Sequence, residues 1–148
     1  MILRPGTFLQ DRYEILDKIG SGGMSDVYKA LCHKLKRQVA IKVLKEEFSS
    51  DSGFVSKFKM EAQAAARLSH PNIVNVYDVV DEGTLHYIVM ELIEGITLKQ
   101  YLQRKGHLSW QETIFFVEQV ARALMHAHSR GIIHQDVKPQ NVIILRDG

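Results

Sequence analysis

Asp136, Lys138 and Asn141 lie close together in the stretch His134-Gln135-Asp136-Val137-Lys138-Pro139-Gln140-Asn141. These offsets put a carboxylate, an ammonium and a carboxamide at the mouth of one loop. The first can accept a hydroxyl proton, the second can neutralise a moving phosphoryl group, and the third can hold a metal ion. Far upstream, Gly20-Ser21-Gly22-Gly23-Met24-Ser25-Asp26-Val27 offers glycines whose backbone N–H groups can close on phosphate oxygens with no side chain in the way. Taken alone, such a segment is better read as a ligand-free glycine hairpin. A dinucleotide-binding fingerprint needs a helix after its glycines, and a P-loop needs Gly-Lys-Ser/Thr. Here an alternating segment, Asp26-Val27-Tyr28-Lys29-Ala30, follows instead, and no Gly-Lys-Ser/Thr occurs. The context is a strand–turn–strand phosphate flap.

Lys42 interrupts the apolar run Val39-Ala40-Ile41. An ammonium in a central strand is costly unless it is paired, although a solvent-facing position remains open for a lysine taken singly. Glu61 supplies the candidate partner. Phe54, Phe58, Glu61, Ala65 and Leu68 follow steps of four and three, so the carboxylate is expected to share the apolar stripe of a helix and to call for a cation, although a solvated place at the stripe's edge stays open for a glutamate taken singly.

These groups need a scaffold. Tyr13 to Ile19, Asp26 to Ala30 and Arg37 to Leu44 alternate with period two and predict a three-stranded antiparallel meander. A helix is expected from about Gly53 to Leu68, with Asp51 or Ser52 as its N-cap and Pro71 beyond its end. Ile73 to Val80 and Leu85 to Leu92 read as two further strands joined at Asp81-Glu82-Gly83. Thr97 to Lys105 reads as a short helix closed by Gly106, and Lys45-Glu46-Glu47 as a solvated connection. Ser109-Trp110-Gln111-Glu112 is a capping box opening a long helix that ends at Gly131. Apolar residues surround most of that helix, so it wants cover on more than one side. Val142 to Leu145 reads as a strand, and Asp147-Gly148 as a turn whose return strand is missing. The expectation is a chain cut inside a domain.

The 148 residues are 45% hydrophobic and 24% charged, with 19 basic and 17 acidic side chains and a net charge of +2. This near balance, spread along the chain, argues against a nucleic-acid footprint or a membrane patch. The single cysteine, Cys32, reads as a packed or surface thiol in a reducing compartment. No segment has the form of a signal peptide or a membrane span. His126 and His128, two positions apart near a helix end, have poor metal-ligand spacing and read as satisfied surface or core histidines.

In combination these motifs resemble the eukaryotic-type protein kinases, and most of all the bacterial PASTA-type Ser/Thr kinases, from about Asp11 to Gly148. The resemblance implies an α+β fold: a five-stranded antiparallel N-lobe with helix C (residues 1–92), then the first helices and catalytic loop of a helical lobe (residues 93–148). It implies ATP and Mg²⁺ as cofactors, and transfer of the γ-phosphoryl group to Ser or Thr hydroxyls of proteins. By that resemblance Gly20, Ser21, Gly22, Gly23, Met24 and Ser25 form the phosphate loop. Ile19, Val27, Ala40 and Ile143 sandwich the adenine, Met90 is the gatekeeper, and the backbone of Glu91 and Ile93 meets the adenine edge. Lys42 binds the α/β-phosphates, Glu61 fixes Lys42, Asp136 orients the acceptor hydroxyl, Lys138 contacts the γ-phosphate and Asn141 holds the second magnesium. His134 packs within the catalytic loop. The kinase domain is expected in the cytoplasm, with a membrane anchor and sensor domains further along the parent protein.

The chain departs from that pattern in three places. Ser25 replaces the usual third glycine, and Gln135 stands where most of these enzymes have the arginine that receives an activation-loop phosphate. The Asp-Phe-Gly motif, which supplies a principal magnesium ligand, lies beyond Gly148, so this stretch by itself is not expected to turn over. Two alternatives stay open. One is a pseudokinase or nucleotide-binding scaffold, and the other an interaction fragment that self-associates through the uncovered long helix or by kinase dimerisation.

Overall fold

The structure, a computed structural model, describes residues 3–132 and 141–145. In chain order the elements are β1 (Phe8–Leu9), β2 (Tyr13–Ser21), β3 (Ser25–Cys32), β4 (Arg37–Leu44), α1 (Glu46–Ser49), α2 (Ser52–Ala66), β5 (Val76–Glu82), β6 (Leu85–Glu91), β7 (Gly95–Thr97), α3 (Leu98–Lys105), α4 (Trp110–Ser129) and β8 (Ile143–Leu145). They fall into two compact units, Met1–Arg67 with Asn75–Leu92, and Leu68–Val74 with Ile93–Gly148.

The first unit is built on an antiparallel sheet of order β1-β2-β3-β4-β6-β5. It has six strands where five were expected. The extra one, β1, pairs Phe8 with Glu14 and Leu9 with Tyr13, and two residues are too short to show a period. Strand β4 occupies the alternating segment Arg37–Leu44 and divides its side chains between two cores. Val39, Ile41 and Val43 join Tyr28, Ala30, Tyr87 and Val89 on one face. Leu44 and Ile88 meet Phe58 and Ala62 of α2 on the other. The connection after β4 is solvated as expected, with Glu46 and Glu47 exposed, and Glu46–Ser49 within it makes one helical turn. Asp51 caps α2, its carboxylate accepting from the N–H groups of Gly53 and Phe54 at 2.8 and 3.4 Å.

In the second unit both helices begin with capping boxes, Thr97 with Gln100 and Ser109 with Glu112. Gly106 ends α3 at φ 86°, a conformation glycine adopts without strain. Glu112 also accepts from Lys105 Nζ and the Tyr101 hydroxyl, and these two bonds, the lysine's first, draw its carboxyl down to about 2. Asn72 is bound to α4, its Nδ2 donating to Gln119 O and Oε1 at 3.0 and 3.1 Å. The strand expected at Val142 to Leu145 is present as β8 and pairs with β7, with Ile96 opposite Ile144. A Cβ at Gly95 would fall 2.1 Å from Ile144 O, so only glycine permits that approach. Along α4, Trp110, Ile114, Phe115, Val117 and Met125 are exposed, in keeping with a helix that is apolar around most of its circumference. His128 is exposed. His126 tilts its ring against His70 at 5.4 Å, and its Nε2 is buried with no hydrogen-bond partner among the described residues, so it is not satisfied as expected. Among the described residues no helix is long and apolar enough to cross a membrane. The turn expected at Asp147-Gly148 lies outside them.

Candidate active site

The glycine segment is the turn between β2 and β3. The ladder pairs Gly20 with Val27 and Ser21 with Asp26, and Gly22 N–H donates to Ser25 O at 2.7 Å. Asp26 anchors the base of the turn: it is buried, accepts from Ser21 Oγ at 2.7 Å and lies 3.4 Å from Lys18 Nζ. Burial raises the Asp26 carboxyl, but its bonds to Ser21 and Lys18 outweigh that, and the net direction is down. Met24 O accepts from Lys45 N–H at 2.8 Å, tying the tip to the end of β4.

Among the described residues nothing requires glycine at the tip. A Cβ at Gly23 would meet nothing within 4 Å, and at Gly20 or Gly22 only ordinary contacts of 3.8 and 3.6 Å. None of the three has the left-handed backbone that favours glycine. Their shared effect is open space over the backbone, the room a phosphate group needs to reach N–H donors.

The sheet register gathers several of the expected residues. Val27 lies opposite Lys42, Lys42 opposite Ile88, and Ala40 opposite Met90. Residues directly opposite share a face, as do residues two apart, so Val27, Ala40, Lys42 and Met90 lie on one side of the sheet. That is the side on which Leu44 and Ile88 meet α2. Gly20 extends the row through Val27. Ile19 is exposed, at the irregularity between Lys18 and Gly20.

Glu61 does not take the expected place. It is exposed, and among the described residues no ion pair joins it to Lys42. The buried stripe of α2 is Phe58 and Ala62, while Phe54 is exposed. A stepwise count through Phe58, Glu61 and Ala65 put the carboxylate on the stripe, but a methyl group fills the same flank without desolvating a charge. Ala62 therefore occupies the core, and Glu61 sits at its edge.

At the end of β6, Glu91 is committed to its own scaffold. Its N–H donates to Asn75 O at 2.8 Å, and its Oε1 accepts from Asn75 N–H and Nδ2, both at 3.1 Å. No sequence signal marks this clasp, because Asn75 falls in the segment Ile73 to Val80 that reads as a strand, whereas β5 begins at Val76. Ile93, Asn141 and Ile143 belong to the second unit, where Ile143 opens β8 opposite Thr97. Asp136 and Lys138, with His134 and Gln135, lie outside the described residues. Among those described, no group of three or more His, Cys, Asp or Glu side chains could hold a metal ion.

The protein kinase domain family matches residues 13–148. A probable serine/threonine-protein kinase of Clostridium perfringens, CPE1738, is 51% identical over 143 residues, 97% of this chain and 21% of that protein. The serine/threonine-protein kinase PrkC of Bacillus subtilis is 45% identical over 139 residues, 94% of this chain and 22% of that protein. The chain thus spans 21 to 22% of the length of these two relatives. The crystal structure of the Mycobacterium tuberculosis PknI kinase domain matches with a TM-score of 0.87 at 31% identity, covering 99% of this chain and 59% of that one. Motifs, sheet and relatives agree: the chain belongs to the protein kinase domain family.

Proposed function

We propose that the full-length protein is a serine/threonine protein kinase that moves the γ-phosphoryl group of ATP to hydroxyls of other proteins, its catalytic part working in the cytoplasm. In that step the bond between the γ-phosphorus and the β,γ-bridging oxygen breaks, a bond to the Ser or Thr oxygen forms, and ADP leaves. Asp136 takes up the hydroxyl proton. Amides of the Gly20–Ser25 turn other than that of Gly22, which Ser25 O already takes, hold phosphate oxygens, and Lys42 neutralises the α- and β-phosphates. Val27 and Ala40 press on the adenine, a role that the family resemblance gives to Ile19 and Ile143 as well, with Met90 as gatekeeper. Because Asn75 already takes the Glu91 N–H, contact with the base through Glu91 falls to its carbonyl, and Ile93 supplies the N–H. Lys138 steadies the transferred group. Asn141 offers a hard oxygen of the kind magnesium prefers, and the ion would neutralise charge on the phosphates when bound.

The observation that carries this reading is a turn with three glycines that its own fold does not need. Gly23→Val in the full-length protein should leave the thermal midpoint nearly unchanged, since the new side chain enters open space. It should weaken ATP binding by at least about tenfold, about 1.4 kcal/mol, measured by calorimetric titration. Unchanged ATP affinity would show that the opening is not a phosphate site. A second reading, a nucleotide-binding module without transfer, is favoured by one observation, the exposed Glu61 that makes no ion pair with Lys42.

A further inference from the structure

Helix α2 has one polar tie to the sheet among the described residues. Lys59 Nζ lies 2.5 Å from Asp81 Oδ2, near the end of β5, and Asp81 Oδ1 pairs with His86 Nδ1 of β6 at 2.6 Å. The remaining polar bonds of the helix are its own: the Asp51 cap and a contact between Ser56 and Met60. Asp81 thus clasps α2 to the β5–β6 hairpin, and its two cationic or imidazole partners, Lys59 first, hold its carboxyl below the usual range.

The helical positions give this clasp a consequence for Glu61. Residues advance about 100° each around a helix, so with Phe58 and Ala62 facing the core, Lys59 and Glu61 lie about 80° to either side of the buried stripe. A roll that turns Glu61 toward the sheet turns Lys59 away from Asp81. The two ion pairs, Lys59 with Asp81 and Lys42 with Glu61, therefore compete for the setting of one helix. In this structure the first is made and the second is not.

We infer that Asp81 is a positioning residue, which through Lys59 holds α2 in the setting where Glu61 is turned away from Lys42. This rests on the reading of Glu61 as the residue that fixes Lys42. Releasing the clasp shifts the population of α2 toward the paired setting.

The test is a set of variants of the full-length protein, assayed for phosphoryl transfer at varied ATP. Asp81→Asn should raise kcat/KM for ATP about three- to tenfold, the scale set by losing an exposed ion pair with two partners. Lys59→Met, a substitution at a half-buried position on the flank of the helix, should reproduce the gain, and Asp81→Glu should keep the parent value. In a Glu61→Gln background Asp81→Asn should have no further effect, a dependence that general loosening of the hairpin would not produce. An unchanged or lowered kcat/KM in both Asp81→Asn and Lys59→Met, with Glu61→Gln impaired, overturns the clasp and leaves the role of Glu61 standing. A Glu61→Gln protein as active as the parent overturns that role and the clasp with it.

Discussion

Lys42→Met in the full-length protein lowers phosphoryl transfer about 10²- to 10³-fold or more, the cost of removing one preorganised charge from the phosphates of the transition state. The expectation rests on place as well as residue type. Lys42 stands in the centre of β4, opposite Val27 on one side and Ile88 on the other, on the row that begins at Gly20. It is partly buried, so methionine keeps the packing of the stem and loses the charge. Thermal unfolding should therefore move little while the rate falls. A rate within a few-fold of the parent, at saturating ATP and in dilute ATP alike, would remove Lys42 from the mechanism.

Ile41→Ala, one residue away, has the opposite profile. Ile41 has 0% exposure and stands in the core formed by Tyr28, Val39, Tyr87 and Val89. Truncation removes transfer free energy and leaves a cavity the neighbouring strands cannot close, for about 2–5 kcal/mol. Met60→Ala on the outer face of α2 is the control, because Met60 is 65% exposed and its loss should stay within about 0.5 kcal/mol. Denaturant midpoints for the two variants check this directly. Similar midpoints would mean that Ile41 does not stand in the core.

The contrast between neighbours shows what could be read from the sequence. Period two in Arg37–Leu44 was enough to separate Val39, Ile41 and Val43 from Ala40 and Lys42, and the sheet keeps that division. The capping boxes at Thr97 and Ser109 share one hydrogen-bond pattern and one spacing, so both are legible as motifs, with Gln100 and Glu112 in the same role. The glycine turn was legible as a candidate, but its meaning was not. Only the geometry shows that Gly23 has no φ or steric need to be glycine. Long-range facts were hidden for a simple reason: periodicity is a property of one segment. The pairing of β7 with β8 joins segments of three residues far apart in the chain. The roll of α2, which leaves Glu61 outside and Ala62 inside, is set by what Phe58 and Ala62 meet on the sheet. The Lys59–Asp81–His86 cluster joins a helix to a hairpin and has no local signature at all.

The most direct test of the account is transfer itself. Full-length protein is incubated with γ-labelled ATP, Mg²⁺ and a mixed protein acceptor, and the labelled amino acids are identified after acid hydrolysis. Phosphoserine and phosphothreonine are expected, with the label lost in Asp136→Asn. A protein that binds ATP yet places no label on either residue would contradict this expectation and make the chain part of a nucleotide-binding module.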